Sequence, residues 1–219
     1  MRELTVNTFV TLDGVMQAPG GPEEDPSGGF EHGGWSFGYW DEAMGGWMDE
    51  AMSQPYDLLL GRRTYEIFAA YWPHQDGATA ESLNSARKYV ASRTLDSVEW
   101  NNSTLLEGDA ADAVAGLKED GGPEVLVMGS SDLIQTLLAK DLVDELRVWI
   151  FPVVLGRGKR LFGDGTIPAG LEVVDSKTST TGVLVATYRR AGEPKYGSFA
   201  DAETSEAEPA RRGGPEAER

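Results

Sequence analysis

Apolar and polar residues alternate through residues 3–12, with Leu4, Val6, Val10 and Leu12 on one side. That two-residue period predicts a strand ending at Asp13-Gly14. Over residues 18–38 the pattern gives way to Gly, Pro, acids and scattered aromatics, a loop long enough to be functional and to cover a site. Met44, Trp47, Met48, Ala51 and Met52 then recur at helical spacing, with Asp41, Glu42, Asp49 and Glu50 off that face. A packed core explains these methionines and Trp47 better than a cofactor does. Residues 56–60 read as a short buried strand and 64–71 as a helix that Pro73 closes. A short helix over 80–86 follows, then a strand over 87–91 ending in Ser92-Arg93-Thr94, and a helix over 109–118 capped by Asp109.

The next unit is sharper. A Gly121-Gly122-Pro123 turn leads into a buried strand over 124–128, a polar bend at Gly129-Ser130-Ser131 and a helix over 132–140. Residues 144–155 form an apolar strand whose Pro152 predicts a bulge or an edge position. A basic loop over 156–162 precedes a hairpin, residues 171–180 and 183–190 about Thr181-Gly182. From Ala191 onward large apolar residues nearly vanish, so 191–219 reads as a disordered acidic tail and 1–190 as one domain. The alternation predicts an α/β fold: a mostly parallel central sheet flanked by helices, with a C-terminal antiparallel hairpin.

Composition narrows the function. A formal net charge of −17 opposes general binding to nucleic acid or an anionic membrane. With no cysteine, thiolate chemistry and Cys-ligated metals are excluded, and His32 and His74 lack metal-ligand spacing, so no metal site is expected. Without an apolar run of bilayer length or a signal-like start, the chain reads as cytoplasmic. The apolar strand over 148–155 and the terminal hairpin offer a surface for a homodimer.

On this acidic background, Gly61-Arg62-Arg63-Thr64 between a strand and a helix is the leading candidate site. Helix starts carry free N–H groups and a positive dipole end, where arginines are misplaced unless an anion joins them. The competing reading is two solvated arginines, with Arg62 paired to Glu66 one turn on. Gly129-Ser130-Ser131 repeats the strand, small-residue, helix arrangement, so two helix N-termini can face one ligand; its serines serve equally as caps. No P-loop, complete dinucleotide fingerprint or Gly-x-Ser-x-Gly elbow occurs. Trp35, Phe37, Tyr39 and Trp40 can stack on an aromatic substrate or pack the loop down, packing being the commoner use.

Taken in order, Thr11-Leu-Asp-Gly-Val15, Leu60-Gly-Arg-Arg-Thr-Tyr65, Val90-Ala-Ser-Arg-Thr94, Val127-Met-Gly-Ser-Ser131 and the segment 151–162 resemble the dihydrofolate reductase-like family. The resemblance is closer to the C-terminal reductase domain of the riboflavin deaminase-reductase, and it spans residues 2–190. It implies NADPH held by Gly61, Arg62, Arg63, Thr64, Ser92, Arg93, Thr94, Gly129, Ser130 and Ser131. It also implies hydride transfer to a small heterocyclic substrate near Asp13. The nearest activity is 5-amino-6-(5-phosphoribosylamino)uracil reductase; a noncatalytic nucleotide-binding protein and a dihydrofolate reductase are the alternatives. Arg93 suits a 2′-phosphate, where a ribose diol favours an acid, and Asp96 nearby counts the other way. Asp13 and Asp41 are the candidate catalytic acids, although Asp13 before Gly14 also fits a plain turn and Asp41 matches the folate-gripping carboxylate poorly.

Overall fold

In a computed structural model, which describes residues 1–164 and 166–198, eight strands form one sheet. They are β1 (Leu4–Thr11), β2 (Tyr56–Gly61), β3 (Lys88–Ala91), β4 (Ser103–Leu105), β5 (Glu124–Met128), β6 (Glu145–Phe151), β7 (Leu171–Thr178) and β8 (Leu184–Arg190). Their order is β4-β3-β2-β5-β1-β6-β8-β7. Every pairing from β4 to β6 is parallel, while β8 runs antiparallel to both β6 and β7. The helices are α1 (Glu42–Ala51), α2 (Arg62–Tyr71), α3 (Ala78–Ser85), α4 (Ala110–Glu119) and α5 (Ser131–Ala139). The predicted α/β class, parallel sheet and terminal hairpin are all present. No helix among the described residues is long and apolar enough to cross a membrane.

Both sheet faces are covered, as parallel sheets require. Leu4, Val6 and Val10 pack with Val114, Leu117, Ile134 and Leu137 beneath α4 and α5. On the other face Leu58, Leu60, Leu126 and Trp149 meet Met44 and Met48 from α1, Met52 just past it and Leu83 from α3. β1 is therefore buried on both sides, and its alternation sorts residues between two cores rather than between core and water. Leu12, expected on the buried side, lies past the strand end and is 68% exposed. Under the second face Lys88 is fully buried. Its ammonium donates to the carbonyls of Asn84, Ala86 and Asn101 and sits 4.2 Å from the Trp100 ring centre. Burial pushes its pKa down to about 8.

Several boundaries move for identifiable reasons. β6 stops at Phe151, with Pro152 just beyond it, and the strand lies between β1 and β8 rather than at an edge. With β1 on one side and β8 on the other, β6 has no open edge; the sheet's edges are β4 and β7, and the bulge lies in β7, between Val173 and Asp175. α2 begins at Arg62 rather than Thr64, which puts both arginines in its first turn. β4 escaped the sequence pattern because three residues are too few to show a period. Of the expected tail, Ala191 and Gly192 exchange backbone hydrogen bonds with Gly170, residues 191–198 carry no helix or strand, and 199–219 lie outside the described residues.

Candidate functional site

The turns after β2 and β5 are neighbours because those strands pair in parallel. They are also stitched together. Gly61 N–H donates to Ser130 Oγ at 2.9 Å, and Ser130 N–H donates to Thr64 Oγ1 at 2.9 Å. Ser130 Oγ donates in turn to the Met128 carbonyl at 3.0 Å, so this hydroxyl does not cap its own helix. Neither α2 nor α5 has a side-chain N-cap, which leaves first-turn N–H groups of both directed to one place. Gly129 makes the approach possible: it has φ +55°, and a Cβ there would stand 3.0 Å from Thr64 Cγ2 and Oγ1.

These turns border a cavity of about 1340 Å³, above the usual range for a single small ligand. All ten residues expected at a cofactor line it: Gly61, Arg62, Arg63, Thr64, Ser92, Arg93, Thr94, Gly129, Ser130 and Ser131. β3, beside β2, delivers the middle three. Ser92 Oγ accepts from the N–H groups of Thr94 and Leu95, fixing the turn, and Arg93 makes no ion pair among the described residues. Arg62 does pair with Glu66, at 3.3 Å, as the competing reading held. With both side chains nearly half exposed, that pair is worth about 0–1 kcal/mol and yields readily to a phosphate.

The loop after β1 forms one wall and is fastened at Asp25. This buried carboxylate accepts from Lys159 Nζ at 2.7 Å and Ser27 Oγ at 2.6 Å, with Arg63 Nε at 3.9 Å. Burial acts to raise its pKa, but the Lys159 and Ser27 bonds outweigh it and hold the carboxyl below the usual range. Its neighbour Glu24 behaves oppositely: burial raises its pKa despite hydrogen bonds from the Gly20 and Gly21 N–H groups. Gln17 completes the fastening, donating to the Asp25 and Ser27 carbonyls and accepting from Lys159 N–H.

At the other end the wall is apolar, built from Phe9, Trp40, Met48, Met52, Phe68 and Leu83. Of the four loop aromatics, Trp35 and Tyr39 pack edge-on against Phe151 and Phe37 is exposed. Trp40 both packs, parallel to Trp149 at 6.3 Å, and lines the cavity. Asn7 also lines it and was missed from sequence, although an amide in an otherwise apolar and hydroxylated strand is an available signal. Its Oδ1 accepts from Trp149 Nε1 at 2.8 Å, and its buried Nδ2 makes no hydrogen bond among the described residues. An unpaired buried donor costs about 1–3 kcal/mol.

Asp13 and Asp41 are not brought to this wall. Asp13 accepts from Thr11 Oγ1, Leu155 N–H and Gly156 N–H and pairs with Arg160, the turn-forming role that its place before Gly14 allowed. Burial acts to raise its pKa, but these hydrogen bonds prevail and lower it. Asp41 caps α1 through Met44 N–H and binds Thr180 through its hydroxyl and N–H, bonds that lower its pKa. Both carboxylates fasten loops.

Residues 2–185 match a family model described as the RibD C-terminal domain. Over 196 residues the chain is 29% identical to the uncharacterized protein YyaP of Bacillus subtilis, covering 85% of this chain and 94% of YyaP. It is 28% identical over 123 residues to YwjB of the same organism, also uncharacterized, covering 55% and 66% of the two chains. A Shewanella sp. PV-4 crystal structure with a provisional riboflavin-biosynthesis name superposes with a TM-score of 0.62 at 23% identity, covering 87% of this chain and 99% of that one. A pyrimidine reductase-like protein of Corynebacterium diphtheriae gives 0.57 at 12% identity, covering 86% and 92%. At these identities the structural likeness establishes the fold.

Proposed function

Because the chain belongs to the RibD C-terminal domain family, we propose that it is an NADPH-dependent reductase of a small heterocyclic substrate. The observation that carries this reading is the pair of uncapped helix starts, α2 and α5, clamped side by side by the Gly61–Ser130 and Ser130–Thr64 hydrogen bonds beside three arginines. The donor set fits a dinucleotide diphosphate: backbone N–H groups and guanidiniums suit its oxygens, and the Cβ-free Gly129 lets the backbone come close. Arg62 and Arg63 would hold the diphosphate, and Arg93, past the end of β3, the adenosine 2′-phosphate. The names of the two structural neighbours are consistent with a reductase of a pyrimidine-type ring.

Held by the turns after β2, β3 and β5, NADPH would supply the hydride that, with one proton, reduces a C=N or C=C bond by two electrons. The chain's own contribution is placement and exclusion of water. Phe9, Trp40 and Met48 would orient the ring, and with only apolar side chains in that group the proton would come from water. Asp13 and Asp41, committed elsewhere, are given no part in proton transfer.

Titration of the full chain with NADPH and NADH, followed by single-turnover oxidation of bound NADPH with candidate heterocycles, tests the reading. NADPH is expected to bind more tightly and to be oxidised only when a ring substrate is added. Equal affinities would remove the 2′-phosphate assignment. Binding without oxidation by any heterocycle would favour a noncatalytic nucleotide-binding role.

A further inference from the structure

Charge is spread unevenly around the cavity. Three of its four cations, Arg62, Arg63 and Arg93, stand at the ends of β2 and β3. The fourth, Lys159, is already held by the buried Asp25 at 2.7 Å. Where β1, α1 and Trp40 meet, the cavity residues are Asn7, Phe9, Trp40, Met48 and Met52, and none of these five is charged. A phosphate carried into that end would leave water with no free cation to receive it, an unfavourable transfer.

Asn7 supplies the positive criterion. Trp149 Nε1 can only donate, so its 2.8 Å bond identifies the facing Asn7 atom as oxygen and fixes the amide's orientation. The Nδ2 hydrogens are thereby reserved for an acceptor that the described residues do not provide, in a residue 3% exposed on the cavity wall. Beside it Phe9 and Trp40, with ring centres 6.0 Å apart, line the cavity and offer aromatic faces to a flat ring, while the fully buried Trp149 backs Trp40.

Building on the reductase reading, we propose that this end takes an uncharged, planar, carbonyl-bearing heterocycle, stacked on Phe9 and Trp40 with its carbonyl on Asn7 Nδ2, in preference to a phosphorylated one. The preferred substrate is then a dephosphorylated or never-phosphorylated ring, and the reaction that supplies it releases or lacks the phosphate ester.

The test titrates the full chain, with and without NADP⁺ so that no turnover occurs, against 6,7-dimethyl-8-ribityllumazine and its 5′-phosphate. Tryptophan fluorescence and calorimetry report binding. The unphosphorylated ring is expected to bind more tightly than the phosphate, and Asn7→Ser to weaken it about tenfold while leaving NADP⁺ affinity unchanged. Asn7→Asp, which keeps an oxygen for Trp149 but removes the donor, is expected to do the same and serves if the serine variant does not fold. Equal or tighter binding of the phosphate, undiminished binding by both variants, or no binding of either ring overturns the proposal. Ring binding without any NADP⁺ binding would instead sink the reductase reading and leave this assignment standing.

Discussion

The two ends of the cavity are built by different means. At the β2, β3 and β5 ends, the lining consists of backbone N–H groups, tight turns and arginines supplied by short contiguous segments. At the β1 and α1 end it consists of single side chains, Asn7, Phe9, Trp40, Met48 and Met52, gathered from separate elements. Backbone recognition tolerates little change because the main chain itself is the ligand group. Side-chain recognition can be retuned one residue at a time, so a shared cofactor end is compatible with a different substrate.

The largest effect should come from Gly129→Val. A side chain there meets Thr64 at 3.0 Å in a φ +55° backbone, so both turns must separate. Affinity for NADPH and NADH should fall together by a hundredfold or more by titration, with a lower melting temperature. Retained affinity would show that the two turns need not touch. Next, Arg93→Ala should reduce the preference for NADPH over NADH by about ten- to a hundredfold, the equivalent of ~1.5–3 kcal/mol for a charge-assisted bond. Arg62→Ala should weaken both dinucleotides instead, and the same pattern from both variants would merge the two assignments.

Trp40→Ala probes the opposite end. Loss of an aromatic contact worth ~0.5–1.5 kcal/mol should weaken ring binding about two- to tenfold and leave dinucleotide affinity unchanged. An equal loss of both ligands would show that the ends are not independent. The smallest effects concern the loop spanning them. Asp25 has a lowered folded pKa, so its stabilisation is present above the unfolded carboxyl pKa and is lost as pH falls through the folded value. Asp25→Asn should therefore melt lower at neutral pH, and the gap should close in acid. Glu24, with a raised folded pKa, has the opposite sign: stability falls as pH rises through the window above its unfolded value. Glu24→Gln, whose amide oxygen still accepts from Gly20 and Gly21, should match or exceed the wild-type melting temperature at neutral pH. Parallel pH profiles for the two variants would contradict the opposed shifts.

Local signals decided much of this molecule. Alternation in β1, the helical spacing of Met44, Met48 and Met52, and the strand-to-helix turns at Gly61 and Gly129 each reside within about ten consecutive residues, so period and turn chemistry expose them. The same locality singled out the ten residues that line the cavity at the ends of β2, β3 and β5, since a helix start advertises its unpaired N–H groups by what precedes it. What the sequence left open depended on pairing across the chain. Pro152 reads as an edge signal until β8 is found beside β6, and Ser130 reads as a cap until Gly61 is found beside it. Asp13 and Asp41 looked available for chemistry because their partners, Gly156 and Thr180, lie more than a hundred residues away in the chain. Asn7 becomes informative only when Trp149 takes its oxygen and leaves its buried nitrogen without a partner among the described residues, in a residue that lines the cavity. Chain-local hydrogen bonding and periodicity determined the elements and one end of the site; burial and long-range partners, which set whether a polar group is satisfied, decided the other.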